Sequence, residues 1–135
     1  MEVRIKGQGD PWAQRVCADG EVWGCTSIDT RIEDGQVVQG RRPLEWRHET
    51  RLDPERVEAI EAVLRRGAFD LPAEIRPSRE TSDTHLVTWR MRLDGKEHSV
   101  RLMGMGSERV PLLADLDRAV KLGIAMALDR DAEGG

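Results

Sequence analysis

Residues 88–102, TWRMRLDGKEHSVRL, decide the fold. Asp94-Gly95 is a dipeptide suited to a two-residue type I′ turn, and apolar and polar residues alternate on both sides of it. Pairing outward from the turn sets Met91 opposite His98, Trp89 opposite Val100 and, one step further, Val87 opposite Leu102, all on one face. The other face carries Thr88, Arg90 and Arg92 against Glu97, Ser99 and Arg101, with Arg92 directly opposite Glu97. Turn chemistry and period-2 patterning agree independently, so 84–93 and 96–105 are expected to form an antiparallel hairpin with one buried face.

Two more Asp-Gly dipeptides, Asp19-Gly20 and Asp34-Gly35, lie between stretches of strand character and predict two further hairpins. The strands involved are VRIKGQG, QRVCADG, EVWGCTSIDTRIED and QVVQG, with Gly24 marking a bulge or bend inside the long third one. A two-residue turn at Asp19-Gly20 sets Cys17 opposite Val22 and Gln14 opposite Cys25. The only two thiols would then point to opposite faces, three residues apart along the ribbon, so no disulfide is expected. The segment 40–50, GRRPLEWRHET, reads as a long loop or an irregular edge.

Between the strand regions lies a helix with Asp53 as cap, Pro54 in its first position and an apolar stripe of Val57, Ile60, Val63 and Leu64. Leu52 is placed to staple onto Val57, and Gly67 provides the exit. A second helix runs from about Pro111 to about Asp129, burying Leu113, Leu116, Val120, Ile124 and Ala127 or Leu128. The order strands, helix, hairpin, helix is the α+β pattern: an antiparallel sheet built from hairpins with two helices packed on it. One domain is expected over 1–130, with 131–135 a frayed tail.

Composition narrows the function. Acidic residues outnumber basic ones 25 to 21 and the net charge is −4, which argues against a dedicated nucleic-acid binder. No stretch approaches the roughly 20 apolar residues of a membrane helix and no secretory leader opens the chain, so the reading is a cytoplasmic protein without membrane contact. His48, His85 and His98 are scattered, the cysteines form no C-x-x-C pair, and no metal or cofactor is expected. Asp115 and Asp117 are two apart on a helix and do not share a face, and no serine sits in a nucleophile elbow, so the chain reads as a non-enzyme.

The remaining motifs point to binding. GMGSE at 104–108 lacks the third glycine and the βαβ context of a phosphate loop and reads as a plain strand-to-helix turn. Arg41, Arg42, Trp46 and Arg47, followed by His48 and Arg51, put cations around an aromatic ring, a composition that can hold phosphate and stack a base. Glu45 and Glu49 interrupt that run. The outward stripe Arg90, Arg92 and Arg101 is suited to an acidic partner.

From 52 to 120 the order of features resembles the small bacterial proteins of the protealysin-inhibitor (emfourin) family. The resemblance lies in VEAIEAVLRRGAF leading into DLPAEI, in Asp83 opening the next strand, in TWRMRLDGKEHSVRL with its histidine after the glycine turn, and in PLLADLDRAV starting the last helix. It implies a non-catalytic protein that occludes the active cleft of a thermolysin-type zinc metallopeptidase with an N-terminal glycine-rich segment. The corresponding residues here are Gly7, Gly9, Asp10, Pro11 and Trp12, in which the glycines are split and Trp12 stands where the family has phenylalanine. A longer insertion, from about Thr30 to Arg51, also departs from the family pattern and could redirect binding to another partner.

Overall fold

A computed structural model describes residues 1–8, 12–26, 28–41, 46–77 and 86–134, with the backbone alone at 8, 12, 26, 28–31, 39 and 41. Seven strands form one sheet: β1 (Glu2–Gln8), β2 (Trp12–Cys17), β3 (Glu21–Thr26), β6 (Arg47–Arg51), β7 (Glu74–Ile75), β8 (Leu86–Leu93) and β9 (Lys96–Met103). Their order is β6-β3-β2-β1-β8-β9-β7. Every neighbouring pair is antiparallel except β7 with β9. Strands β4 (Ile28–Glu33) and β5 (Gln36–Arg41) form a separate two-stranded ribbon. With helices α1 (Pro54–Leu64) and α2 (Pro111–Gly134) the fold is α+β, in the expected order of elements.

The β8–β9 hairpin has the register read from sequence, Met91↔His98, Trp89↔Val100 and Arg92↔Glu97. Asp94 and Gly95 both adopt positive φ, as do Asp34 and Gly35 in the ribbon, which is what a type I′ turn requires. The buried face of β8 meets Val3 and Ile5 of β1, and together with Val16, Val22, Val100 and Leu102 they form the sheet side of the core. The helices supply Val57, Ile60 and Leu64 from α1 and Leu113, Leu116, Val120 and Ala127 from α2. Gly123 sits where α2 meets the chain leading into α1: a Cβ there would stand 3.3 Å from Arg56 Cβ and from the Leu52 methyls.

Five expectations are corrected. The Asp19-Gly20 hairpin pairs Val16 with Val22 and Ala13 with Cys25, one residue off the expected register. Only Gly20 has positive φ in this turn, and its N–H donates to Cys17 O, giving a three-residue loop that sends both valines into the core. Cys17 and Cys25 therefore share a face rather than pointing apart, and they remain free thiols separated by four positions, roughly 13 Å of strand. The bulge expected at Gly24 lies instead on β6, where Glu49 is the extra residue between His48 and Thr50 opposite Trp23 and Val22. Its carboxylate lies over Gly24, where a Cβ would push that flexible side chain aside.

The other two corrections concern the cap of the first helix and the end of the second. Of the segment 40–50, expected as a long loop or an irregular edge, the part from Arg47 on lies at the sheet's edge in β6. Asp53 does not cap α1 with its side chain; its carboxylate takes a hydrogen bond from Arg130 Nη1 at 2.6 Å, while its backbone oxygen accepts from Arg56 and Val57. Arg130 belongs to the end of α2, which continues to Gly134, beyond the end expected near Asp129. That end is tied down by Thr50, whose hydroxyl donates to Asp131 Oδ2 at 2.6 Å. Among the apolar residues assigned to α2, Leu128 is exposed and Ala127 is buried.

Candidate binding surfaces

Both helices pack on one face of the sheet, and the side chains on its other face alternate with the core residues. Cross-strand pairing places His48, Trp23, Arg15, Arg4, Arg90 and Ser99 in one row across six strands. A second row, two residues along, holds Cys25, Ala13, Lys6, Thr88, Arg101 and Glu74. Carboxylates gather in the row on the opposite side, where Glu2 faces Arg92 and Arg92 faces Glu97. Glu97 takes hydrogen bonds from Arg92 and Arg90, and these, with the field of both guanidiniums, hold its carboxyl below the ordinary range. Glu2 accepts from Arg4 Nε at 2.9 Å.

Trp46 borders this face, 38% exposed. The Arg15 guanidinium lies over its ring at 4.9 Å and over the Trp23 ring at 5.7 Å, and Arg4 approaches Trp46 at 6.0 Å. His48 meets Trp23 edge-on and pairs with Glu21. Arg15 Nε is buried without a hydrogen-bond partner, and among the described residues no carboxylate pairs with Arg15. Burial pushes the neighbouring Cys17 thiol above its ordinary pKa, which leaves it a weak nucleophile near neutral pH.

Of the residues singled out in sequence, the structure joins Trp46 to arginines that the reading had not connected with it. Arg47 is exposed on the edge strand, Arg41 ends the ribbon strand β5, and Arg42 lies outside the described residues. Arg4, Arg15 and Trp23 were missed because they come from three strands whose mutual pairing no local pattern reveals. At the other proposed surface, Gly7 is buried and paired with Trp12 on one side and Val87 on the other. Gly9, Asp10 and Pro11 lie outside the described residues, as do Asp83 and His85.

The other motifs have structural partners. Ser107, within GMGSE, accepts a 2.8 Å hydrogen bond from the indole of the fully buried Trp89. His98 Nε2 contacts Leu71 O at 2.7 Å, which ties β9 to the chain after α1. Lys121 pairs with Asp117 and Arg118 with Asp115 along α2, and Glu108, Asp117, Arg118 and Lys121 line an open depression beside it. Among the described residues no group of three or more His, Cys, Asp or Glu side chains is placed to hold a metal. No helix among them is long and apolar enough to cross a membrane. No family model, curated protein or solved structure matches the chain.

Proposed function

We propose that the protein is a non-catalytic protein-binding domain that blocks a thermolysin-type metallopeptidase by occluding its active cleft with residues 7–12. The observation that carries this reading is the mounting of that segment. Gly7 is hydrogen-bonded in register between Trp12 and Val87, so the chain enters and leaves the segment on the central strands of a seven-stranded sheet. A segment held at both ends in this way loses less conformational freedom on docking, and its composition adds an aromatic anchor and a proline.

The test is a titration of a thermolysin-type peptidase with the purified protein and with Trp12→Ala. Peptidase activity is expected to fall with the wild type and to persist with the variant. Full activity at molar excess of wild type refutes the proposal. The nucleic-acid alternative, through Arg41, Arg42, Trp46 and Arg47, is disfavoured by Glu21 beside His48 in the Trp46 cluster, and oligonucleotide binding serves as a control.

A further inference from the structure

The open face of the sheet is charged against the trend of the whole molecule. The chain carries −4, yet the two central rows of this face present Lys6, Arg4, Arg15, Arg90 and Arg101, with Glu74 at the far edge as their only acidic member. Arg15, Arg4 and Arg90 are direct cross-strand neighbours on adjacent strands about 4.8 Å apart, an arrangement that is itself unfavourable for like charges. The local acids relieve it at one end only. Glu2 engages Arg4 and Glu97 engages Arg90 and Arg92, whereas Lys6, Arg15 and Arg101 have no carboxylate partner among the described residues. Arg15 is also oriented in advance by the rings of Trp23 and Trp46.

The geometry points to an acidic segment of a protein partner docking across this face, with carboxylates on Arg15, Arg4 and Lys6 and an apolar or aromatic residue against Trp46. The bordering acids decide between a peptide and a nucleic acid. Glu21, Glu2 and Glu97 close the patch at one end of the strands and Glu74 stands beside it on the edge strand β7, so a long polyphosphate running off that end or across β7 meets like charge. A short segment with two or three carboxylates fits inside that border. Charge complementarity of this kind steers encounter and discriminates between partners, and it weakens as salt rises. This surface uses residues other than 7–12, so it extends the protein-binding reading without depending on peptidase inhibition.

The probe is fluorescein-labelled hexaglutamate, followed by anisotropy at low and physiological salt, with a labelled oligothymidine of similar charge as comparator. Saturable binding of hexaglutamate is expected, weakening with salt and accompanied by a change in tryptophan emission. The double variant Arg4→Gln/Arg15→Gln should weaken it about tenfold or more, while Lys121→Gln on α2 leaves it unchanged. Thermal melts establish that each variant is folded, and Arg15→Lys, which keeps the charge but not the planar stacking group, should retain part of the affinity. Absence of saturable binding up to about 1 mM peptide, equal binding by the double variant, or tighter binding of the oligothymidine each overturns the proposal. Peptidase titration reads the 7–12 segment and the peptide probe reads the open face, so failure of one is distinguishable from failure of the other.

Discussion

Replacing Gly20 by alanine tests how the β2–β3 turn is locked to the rest of the fold. Gly20 has φ +90°, and a Cβ built on it would stand 2.6 Å from the backbone oxygen of Leu52. Backbone cannot swing aside as a side chain can, and here it is held further by the 2.8 Å hydrogen bond from Leu52 N to Gly20 O. Gly95 is the internal reference: its φ is +79° and a Cβ there meets nothing within 4 Å. Left-handed backbone costs an alanine about 1–2 kcal/mol at either position. At Gly20 the displaced Leu52 contact adds roughly the net worth of a hydrogen bond, about 0.5–1.5 kcal/mol, for a total of about 1.5–3.5 kcal/mol. Urea unfolding of Gly20→Ala and Gly95→Ala measures the two losses directly, and the unfolded-chain effect of Gly→Ala is common to both. Equal losses would refute the argument, because they would mean that the Leu52 backbone does not confine Gly20.

Two further outcomes follow from buried or tethered groups. Ser107→Ala removes the acceptor of the buried Trp89 indole and should destabilise the protein by about 1–3 kcal/mol, with Trp89→Phe in the same background costing less than in wild type when measured as a double-mutant cycle. At the end of α2, the hydrogen bond from Thr50 and then that from Arg130 hold Asp131 below the ordinary aspartate pKa. A depressed carboxyl contributes stability that is complete above its unfolded value of about 3.9 and is lost as pH falls through the lower folded value. Melting temperature against pH should therefore fall less steeply below about pH 4 in Asp131→Asn than in wild type, and parallel curves would remove Asp131 from the acid limb.

Local chemistry wrote much of this fold into the chain. The three Asp-Gly turns, the β8–β9 register and the apolar stripes of α1 and α2 depend on residues within a few positions of one another, and all three hairpins and both helices are present. Where burial competed with local chemistry, burial decided. The β2–β3 hairpin adopts a three-residue loop because that register brings Val16 and Val22 together in the core. Asp53 gives up its cap for Arg130, a residue 77 positions away that only the packing of α2 brings near.

The candidate binding face was half legible. Arg90, Arg92 and Arg101 were read as an outward stripe because one hairpin fixes their common side, and Trp46 was noticed for its basic neighbours. Arg4 and Arg15 carry no such mark in the sequence, since their meaning depends on β1 lying between β2 and β8. That arrangement is a choice among strands distant in the chain, governed by which apolar faces complete the core. The sequence alone therefore determined which segments are strands, turns and helices, through short-range sterics and periodicity. Only the tertiary structure decided that Arg4 and Arg15, from two different strands, come together beside Trp46, because side-chain neighbours across a sheet follow from strand order and register.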